Sequence, residues 1–535
     1  MAVAVQESYY KGWGGKRRIS LALIMRTKDN TTVEFGDFQT PKALADQVVQ
    51  VLAQRGISPA SIIEPTCGTG TFLNASLEKF SMASRAIGIE INPEYFRVAS
   101  NLITKLRRNV IIDMKQADFF HYDWENVFRD LAEPILVVGN PPWVTASQLG
   151  ALRSKNLPLK SNFQNHRGLD AITGKANFDI AESMLICLIE WMSSRQGTVA
   201  MLLKQSVARK VLFYSWKQDS PIVNASIYRF DAKKHFGVSV DACLLVCDIN
   251  SGSASMECKV YDLASPKHVG HTIGYHQGML LADIEVFKRH DSLLQLMPQS
   301  ESPYTWRSGV KHDCAKVMEL TISDNGLSNG LGENVDIEDA YVYPMLKGSG
   351  VANGKKSQTN RYMLVTQHKT GEPTNHITKD APRTWSYLEQ HGQSLDKRGS
   401  SIYKRRPRFS VFGVGQYTFT PWKVSICGLY KKLQFRVVGP RNGKPVVFDD
   451  TVYFVPCKSK REAELIHQCL DSSIAQEFLR AFIFWDSKRP ITAEVLRRLD
   501  LVELVDELGY MEELLRLRPD FSGYTRTGKI AGRLF

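Results

Sequence analysis

In the stretch SIIEPTCGTGTFLNASLEK, residues 61–79, the spacing of hydrophobic residues changes from that of a strand to that of a helix. Its first four residues form a short apolar segment that ends at Glu64, whereas TFLNASLEK has the spacing of an amphipathic helix. Between the two, Gly68 and Gly70 permit a tight turn and a close approach of the backbone to a ligand. A strand that leads through a glycine turn into a helix is the repeating unit of an open α/β sheet.

The same alternation continues on both sides of this stretch. PKALADQVVQVLAQRG, before it, predicts a helix that Gly56 ends; after it come the strand RAIGIEI and the helix PEYFRVASNLITKL. Further on lie the strand PILVVGN, the helix FDIAESMLICLIEWMSS, the strand GTVAMLL and a closing pair, ASIYRFDA and VDACLLVCDI. This order predicts a doubly wound, mostly parallel α/β sheet with an antiparallel end.

Polar residues stand where four of the predicted strands end. Ligands of open α/β sheets bind beyond the carboxyl ends of the strands. Glu90 there suits the two hydroxyls of a ribose, and Asp118 with Phe119 suits the amine and the face of an adenine; taken singly, Glu90 could be a helix cap and Asp118 a turn residue. No GK[ST] follows Gly70, so the pattern predicts an adenosine-containing ligand without a triphosphate.

The fourth strand runs into Asn140-Pro141-Pro142-Trp143. Two successive prolines fix the backbone and remove two donors, so the strand cannot continue. The motif therefore predicts an amide and a large aromatic ring held at a fixed position.

Composition limits the class of protein. The chain has 535 residues, enough for two or three domains, and a net charge of +13, which indicates a polyanionic partner. Its nine cysteines form no CxxC pair, which favours free thiols in a reducing cytoplasm and no metal site. No apolar run is long enough to predict a membrane span.

After about residue 300 the sequence changes character. Strand-like segments such as RYMLVTQ, RFSVFGVG, KVSICGLY and PVVFDDTVYFVP follow one another. Residues 397–444 contain twelve Lys or Arg and no Asp or Glu, with aromatic residues among them. A solvated basic face is one interpretation, but this mixture favours a nucleic-acid surface. The predicted DNA contacts are Lys404, Arg405, Arg406, Arg408, Lys431 and Lys432.

The motifs taken in order resemble the γ-class adenine-N6 DNA methyltransferases of bacterial restriction–modification systems. The resemblance rests on FGDFQTPKALADQVV, IIEPTCGTGTF, AIGIEINPEYF, QADFFHYDW and VVGNPPWV, and it covers roughly residues 36–250. It implies a seven-stranded methyltransferase sheet, S-adenosylmethionine as cofactor, and double-stranded DNA as the partner from which the target base is flipped.

The resemblance also implies a role for each matching residue. The methionine part of the cofactor would be surrounded by Phe38, Thr40, Pro41, Glu64, Thr66, Gly68 and Gly70. Glu90 would hold the ribose, and Asp118 and Phe119 the cofactor adenine. Asn140 and the carbonyl of Pro141, stiffened by Pro142, would accept from the target amine, while Trp143 and, more loosely matched, Phe236 would stack on the base. Phe178 and Asp179 fall in a region that often lines the cofactor adenine.

The expected organisation is an N-terminal basic arm (1–35), a methyltransferase domain (36–300) and a strand-rich DNA-recognition domain (301–535). A separate cognate restriction endonuclease is a further expected partner. Two alternatives remain open at this point: methylation of cytosine N4, because the same motif serves either exocyclic amine, and a catalytically silent DNA-binding subunit of a defence system.

Overall fold

The computed structural model describes residues 38–105, 110–144, 179–218, 221–249, 253–296, 302–324, 326–354 and 360–522. The predicted basic arm (1–35) and Phe178 lie outside these ranges. The chain divides into two compact units, Met1–Leu280 and Leu281–Phe535. The functional boundary expected at residue 300 stays a prediction.

A ten-stranded sheet organises the first unit, in the order β10-β9-β8-β6-β7-β5-β4-β1-β2-β3. Strands β1 to β5 are parallel, and β7 is antiparallel to both of its neighbours, β5 and β6. This confirms the doubly wound, mostly parallel sheet with an antiparallel end, and three strands beyond β6 extend it. The strands are β1 Ser61–Glu64, β2 Arg85–Glu90, β3 Ile111–Gln116, β4 Ile135–Gly139, β5 Gly197–Lys204, β6 Ile222–Asp231, β7 Asp241–Ile249, β8 Glu257–Asp262, β9 His271–His276 and β10 Met279–Leu281.

Helices cover the central strands because those strands are apolar on both faces. Every residue of β1 and of β4 is buried, the pattern of strands enclosed between two helical layers. Leu44, Val48 and Leu52 of the first helix join one core with residues of the sheet. The helices are α1 Lys42–Gln54, α2 Thr71–Lys79, α3 Pro93–Ile103, α4 Trp124–Arg129, α5 Ile180–Trp191, α6 Gln205–Lys217 and α7 Ala232–Phe236.

The second unit contains two smaller sheets and several helices. One sheet has the strand order β11-β19-β16-β17 and the other β13-β12-β15-β14-β18. The strands are β11 Arg307–Ser308, β12 Glu319–Ser323, β13 Gly326–Asn329, β14 Val342–Leu346, β15 Arg361–Leu364, β16 Trp422–Cys427, β17 Arg436–Val438, β18 Val447–Phe448 and β19 Val452–Cys457. The helices are α8 Ile284–Arg289, α9 Ala315–Met318, α10 Gly348–Ala352, α11 Ile377–Asp380, α12 Pro382–Gln390, α13 Gly392–Asp396, α14 Lys460–Leu470, α15 Ser473–Arg480, α16 Ala493–Leu496, α17 Leu501–Glu507 and α18 Met511–Leu517.

The strand-rich character of this region is confirmed, with one difference in detail. RFSVFGVG was expected to be a strand, but it forms only an isolated bridge between Lys311 and Phe412. Phe409 within it has a positive φ of 61°, which a regular strand does not allow. Within the described ranges, no helix is both long and apolar enough to cross a bilayer, and no group of three metal-ligating side chains comes together.

Candidate active site

The ends of β1 to β4 meet at one edge of the sheet and line a cleft there. Glu64 and Glu90 are the last residues of β1 and β2, and Asp118 and Asn140 follow β3 and β4. The cleft encloses about 970 Å³ not filled by protein atoms, part of it open to solvent. Its lining is Phe38, Gln39, Thr40, Glu64, Pro65, Thr66, Cys67, Gly68, Thr71, Ile89, Glu90, Ile91, Tyr95, Ala117, Asp118, Phe119, Phe120, Asn140, Pro142, Val144, Ile180 and Met184.

The glycine loop between β1 and α2 brings the backbone to the cleft. Gly68 and Gly70 both have positive φ, 51° and 82°. A Cβ atom at Gly68 would lie 2.7 Å from Oε1 of Gln39. That same Oε1 accepts hydrogen bonds from the backbone N–H and the hydroxyl of Thr69, both at 3.1 Å. The segment before α1 is therefore joined to the glycine loop.

Two carboxylates hold the loops that surround the cleft. One oxygen of Glu90 accepts from the N–H of Gly68 and the other from the N–H of Asn92, each at 2.7 Å. Glu64 is 3% exposed and accepts from the N–H of Leu73 at 2.7 Å. Burial raises the pKa of Glu64 well above its usual range, and nearby Glu90 raises it further.

Asp118 begins the short 3₁₀ turn Phe119–His121. Its side chain accepts from the N–H of Phe120 at 2.9 Å, and its second oxygen lies 2.9 Å from Nδ1 of His121. Phe119 is buried in a cluster with Trp124 and other aromatic rings, while half-buried Phe120 beside it also faces the cleft. Asp118 thus has the contacts of a turn residue and a place in the cleft wall.

Asn140 presents an acceptor that nothing in the described protein satisfies. Its Nδ2 donates to the carbonyl of Phe38 at 3.0 Å, which fixes the orientation of the amide. Its Oδ1 is buried and has no hydrogen-bond partner within the described residues. The hydroxyl of Thr66, also in the cleft wall, is likewise buried without a partner. Buried polar atoms are nearly always paired, so both atoms indicate a ligand with polar groups.

Three aromatic rings meet beside Asn140. Trp143 is 5% exposed, and its Nε1 donates to the carbonyl of Leu202 at 3.2 Å. Its ring centroid lies 5.8 Å from that of Phe38 and 5.4 Å from that of Phe236, the latter edge to face. The structure therefore brings Trp143 and Phe236 together as the sequence predicted, and it adds Phe38 to them.

Several cleft residues were not predicted from the sequence. Ile180 and Met184 of α5 form an apolar wall, and Tyr95 of α3 and Phe120 belong to other parts of the lining. Apolar residues of a helix look the same in sequence whether they face a core or a ligand. Gln39 stands next to two predicted residues, and that position was the only signal that could have found it. Asp179 is absent from the lining and pairs with Lys204 instead.

The six predicted DNA-contacting cations are all exposed in the second unit. Arg408 differs from the others because it forms an ion pair with Asp396 at 2.9 Å and lies over the ring of Phe409. Two other cations of the basic stretch serve the fold: half-buried Arg398 donates to the carbonyls of His312 and Ser410, and buried Lys423 to those of Thr420 and Val446.

Comparisons with known proteins identify the family of this chain. The profile of the family "N-6 DNA Methylase" matches residues 22–217. The "Type II methyltransferase M.NspV" of Nostoc sp. is 46% identical over 480 residues, which cover 88% of this chain and 97% of that protein. The "Modification methylase CviBIII" of Paramecium bursaria Chlorella virus NC1A is 22% identical over 287 residues, 52% of this chain and 66% of that protein.

A solved structure shares the fold. The type IIL restriction–modification enzyme MmeI, determined in complex with DNA, superposes with a TM-score of 0.50 at 15% identity, covering 90% of this chain and 67% of the other. The cleft also fits the cofactor of such enzymes, since it offers buried unpaired polar atoms beside a glycine loop that a Cβ would fill. The chain therefore belongs to the N-6 DNA methylase family, and it is an S-adenosylmethionine-dependent, site-specific adenine-N6 DNA methyltransferase of the restriction–modification type.

Proposed function

We propose that the target adenine, flipped out of the duplex, donates its N6 hydrogens to Oδ1 of Asn140 and to the carbonyl of Pro141. The unpartnered Oδ1 carries this proposal. It is a buried acceptor at a cleft, and its direction is set by the bond from Nδ2 to Phe38. A base amine supplies the donor that the described part of the protein does not.

The arrangement answers the chemical difficulty of the reaction. The lone pair of an exocyclic amine is delocalised into the purine ring, so the amine is a weak nucleophile. Two acceptors outside the ring plane draw the N–H bonds away from it and localise the lone pair on nitrogen. Pro141 and Pro142 fix the backbone in advance, so little reorganisation is needed in the transition state. When bound, S-adenosylmethionine would supply the methyl group from a sulfonium sulfur, which would leave as a neutral thioether.

We assign the cofactor to the wall formed by the strand ends. Glu90 would accept from the ribose hydroxyls, Asp118 from the adenine amine with Phe119 against the ring, and the glycine loop would surround the methionine part together with Phe38, Thr40, Pro41, Glu64, Thr66, Gly68 and Gly70. All of these except Pro41 and Gly70 line the cleft, which supports the assignment. Pro41 precedes α1 and Gly70 precedes α2, so both act through the backbone.

Stacking on the flipped base is assigned to Trp143 and Phe236. Aromatic faces replace the stacking that a base loses when it leaves the duplex. Trp143 is 5% exposed and packs against Phe38 and Phe236, so stacking on a base requires some of the contacts around its ring to open.

The second unit is proposed to recognise the DNA sequence, with Lys404, Arg405, Arg406, Lys431 and Lys432 on phosphates. These side chains are exposed, as a phosphate contact requires. Arg408 is a weaker candidate because Asp396 already neutralises it. A separate cognate endonuclease acting on the same site, and a cytoplasmic location where the host DNA lies, complete the proposal.

Asn140→Ala tests the central step. We expect single-turnover methyl transfer to fall by about 10²-fold or more, because the deleted acceptor acts mainly in the transition state. Cofactor affinity by calorimetry and DNA affinity by anisotropy should stay within about threefold. Asn101→Ala, an exposed amide of α3, is the matched control and should transfer methyl normally.

Mass spectrometry of digested DNA from the parent enzyme should show N6-methyladenine. Equal transfer rates in Asn140→Ala and the parent would remove Asn140 from the reaction. A parallel loss of cofactor binding would instead place it in the cofactor site.

A further inference from the structure

Lys204 lies behind the Asn-Pro-Pro-Trp loop and outside the cleft lining. It is the last residue of β5, and its Nζ donates to the carbonyl of Trp143 at 3.0 Å. The same Nζ lies 2.6 Å from Oδ2 of Asp179, and the two side chains are 23% and 6% exposed. This is a nearly buried ion pair that shares its cation with the backbone of the loop.

Asp179 links this pair to helix α5. Its other oxygen accepts from the N–H of Ala181 at 3.3 Å and so caps the start of the helix. The N–H of Ile180 donates to the carbonyl of Val144 at 3.0 Å. The loop therefore meets the helix directly through Val144 and indirectly through Lys204.

Strand β5 holds Trp143 at two points. The carbonyl of Leu202 accepts from the indole N–H at 3.2 Å, and Lys204 donates to the main-chain carbonyl of Trp143. One bond fixes the ring and the other fixes the backbone. Prolines fix φ at residues 141 and 142 only, so the direction of the chain after them is set by these two bonds together with the bond from Ile180 to Val144.

We propose that Lys204, held by Asp179, is a positioning residue for methyl transfer: it keeps the loop 140–144 in the conformation that aims Oδ1 of Asn140 and the ring of Trp143 at the target base. This inference rests on the role proposed for Asn140. Lys204 acts through the carbonyl of Trp143 and not through a bond to base or cofactor. A charge-assisted hydrogen bond in a water-poor site suits this task because it is directional and strong.

Lys204→Met tests the inference, since it keeps the aliphatic length and removes the ammonium. We expect single-turnover methyl transfer to fall by about tenfold or more, a loss typical of a misplaced catalytic group. The cofactor dissociation constant should change by less than about threefold, since Lys204 does not line the cleft. With 2-aminopurine at the target position, the fluorescence increase on base flipping should be smaller. Lys204→Arg should recover most of the transfer rate.

Lys210→Met is the matched control. Lys210 also pairs with a buried carboxylate in the first turn of α5, Glu182, at 3.1 Å. The cation that binds the carbonyl of Trp143, however, is Lys204. Lys210→Met should therefore transfer methyl normally. Asp179→Asn keeps an acceptor for Ala181 and weakens only the ion pair, so it serves if Lys204→Met does not fold.

The outcomes separate the two proposals. Normal transfer and normal 2-aminopurine fluorescence in a folded Lys204→Met, with Asn140→Ala inactive, would overturn the positioning role alone. Normal transfer in Asn140→Ala would overturn the proposed function itself. Equal decreases in Lys204→Met and Lys210→Met would show a general effect of α5 and would also overturn the positioning role.

Discussion

Glu64 and Glu90 lie at neighbouring strand ends, yet their surroundings differ. Glu90 accepts two backbone N–H groups, which suits an ionised carboxylate. Glu64 is buried in the cleft wall, and burial together with the negative Glu90 favours its neutral form. Glu64 and Glu90 are the same residue type in the sequence, but the fold gives their carboxyl groups different environments.

The raised pKa of Glu64 predicts how stability depends on pH. The contribution of Glu64 to the stability of the folded state is complete below pH 4.5, the ordinary pKa of a glutamate. It is lost as the pH rises through the higher pKa of Glu64 in the folded protein. The contribution of Glu64 to the unfolding free energy of the cofactor-free protein should therefore decline above pH 4.5, with a slope approaching about 1.4 kcal/mol per pH unit. Glu64→Gln, which keeps an acceptor for Leu73, should remove this part of the slope in urea titrations.

Glu125→Gln, an exposed glutamate of α4, is the control for that titration. An identical pH profile for Glu64→Gln and the parent would mean that Glu64 is ionised in the folded protein.

Site residues at strand ends were predictable because the rule for open sheets places them at one edge. Glu64, Glu90, Asp118 and Asn140 all proved to line the cleft. The place of Lys204 behind the loop was not predictable, because its partner is a backbone carbonyl 61 residues away in sequence. Contacts of this kind leave no local pattern.

At the scale of elements, the glycine loop decides how closely β1 and α2 approach α3. Gly70 has φ +82°, and a Cβ there would lie 3.2 Å from Cβ of Ala99 and 3.3 Å from its Cα. Gly56, after α1, has the same φ of +82° but no atom within 4 Å of such a Cβ. A substitution at Gly56 therefore tests backbone strain alone, whereas one at Gly70 tests backbone strain and steric crowding together.

Gly56→Ala should reduce the free energy of unfolding by about 1 kcal/mol, the cost of a left-handed non-glycine residue. Gly70→Ala should reduce it by about 2 kcal/mol, because overpacking against α3 adds a similar amount. Only Gly70→Ala should weaken cofactor binding in calorimetry. Equal reductions of stability would show that the Ala99 contact relaxes freely.

The helices and strands of the first unit could be predicted from the spacing of hydrophobic residues, because β1, β2, β4 and β5 are short apolar runs between amphipathic helices. The second unit was less predictable. RFSVFGVG has the composition of a strand, but Phe409 and Val411 are buried in an irregular segment tied by side chains such as Arg398. Hydrogen bonds from side chains to the backbone take the place of the strand-to-strand hydrogen bonds in this segment. The spacing of hydrophobic residues in the sequence does not reveal such bonds.

At the scale of the whole molecule, the cations that produce the net charge of +13 have different structural roles. In the basic stretch some cations, such as Arg398 and Lys423, satisfy buried carbonyls, and others, such as Arg405 and Arg406, are exposed. Sequence counts both kinds equally, whereas only the exposed kind is available to a phosphate. The six predicted DNA contacts all belong to the exposed kind, and their contact with DNA stays a prediction.

Neutralising Arg405 and Arg406 together should weaken binding to every duplex and leave the preferred site unchanged. A plot of log affinity against log salt should become shallower by about 0.9 for each phosphate that is no longer neutralised. Anisotropy titrations over a range of salt concentrations measure this slope. The pair Lys460→Ala and Arg461→Ala removes the same charge from the exposed start of α14 and is the control. A new preferred sequence with an unaltered slope would show instead that these arginines read base edges.

The unpartnered oxygen of Asn140 also bears on how such a protein evolves. A buried acceptor without a donor costs the folded state roughly 1 to 3 kcal/mol. Selection for thermostability alone would therefore replace this asparagine, whereas the role proposed for Asn140 implies that selection for methylation would retain it. Under the role proposed for Asn140, the two pressures oppose each other at position 140, and a design protocol that optimises only folding would remove the proposed acceptor of the target amine as an apparent improvement.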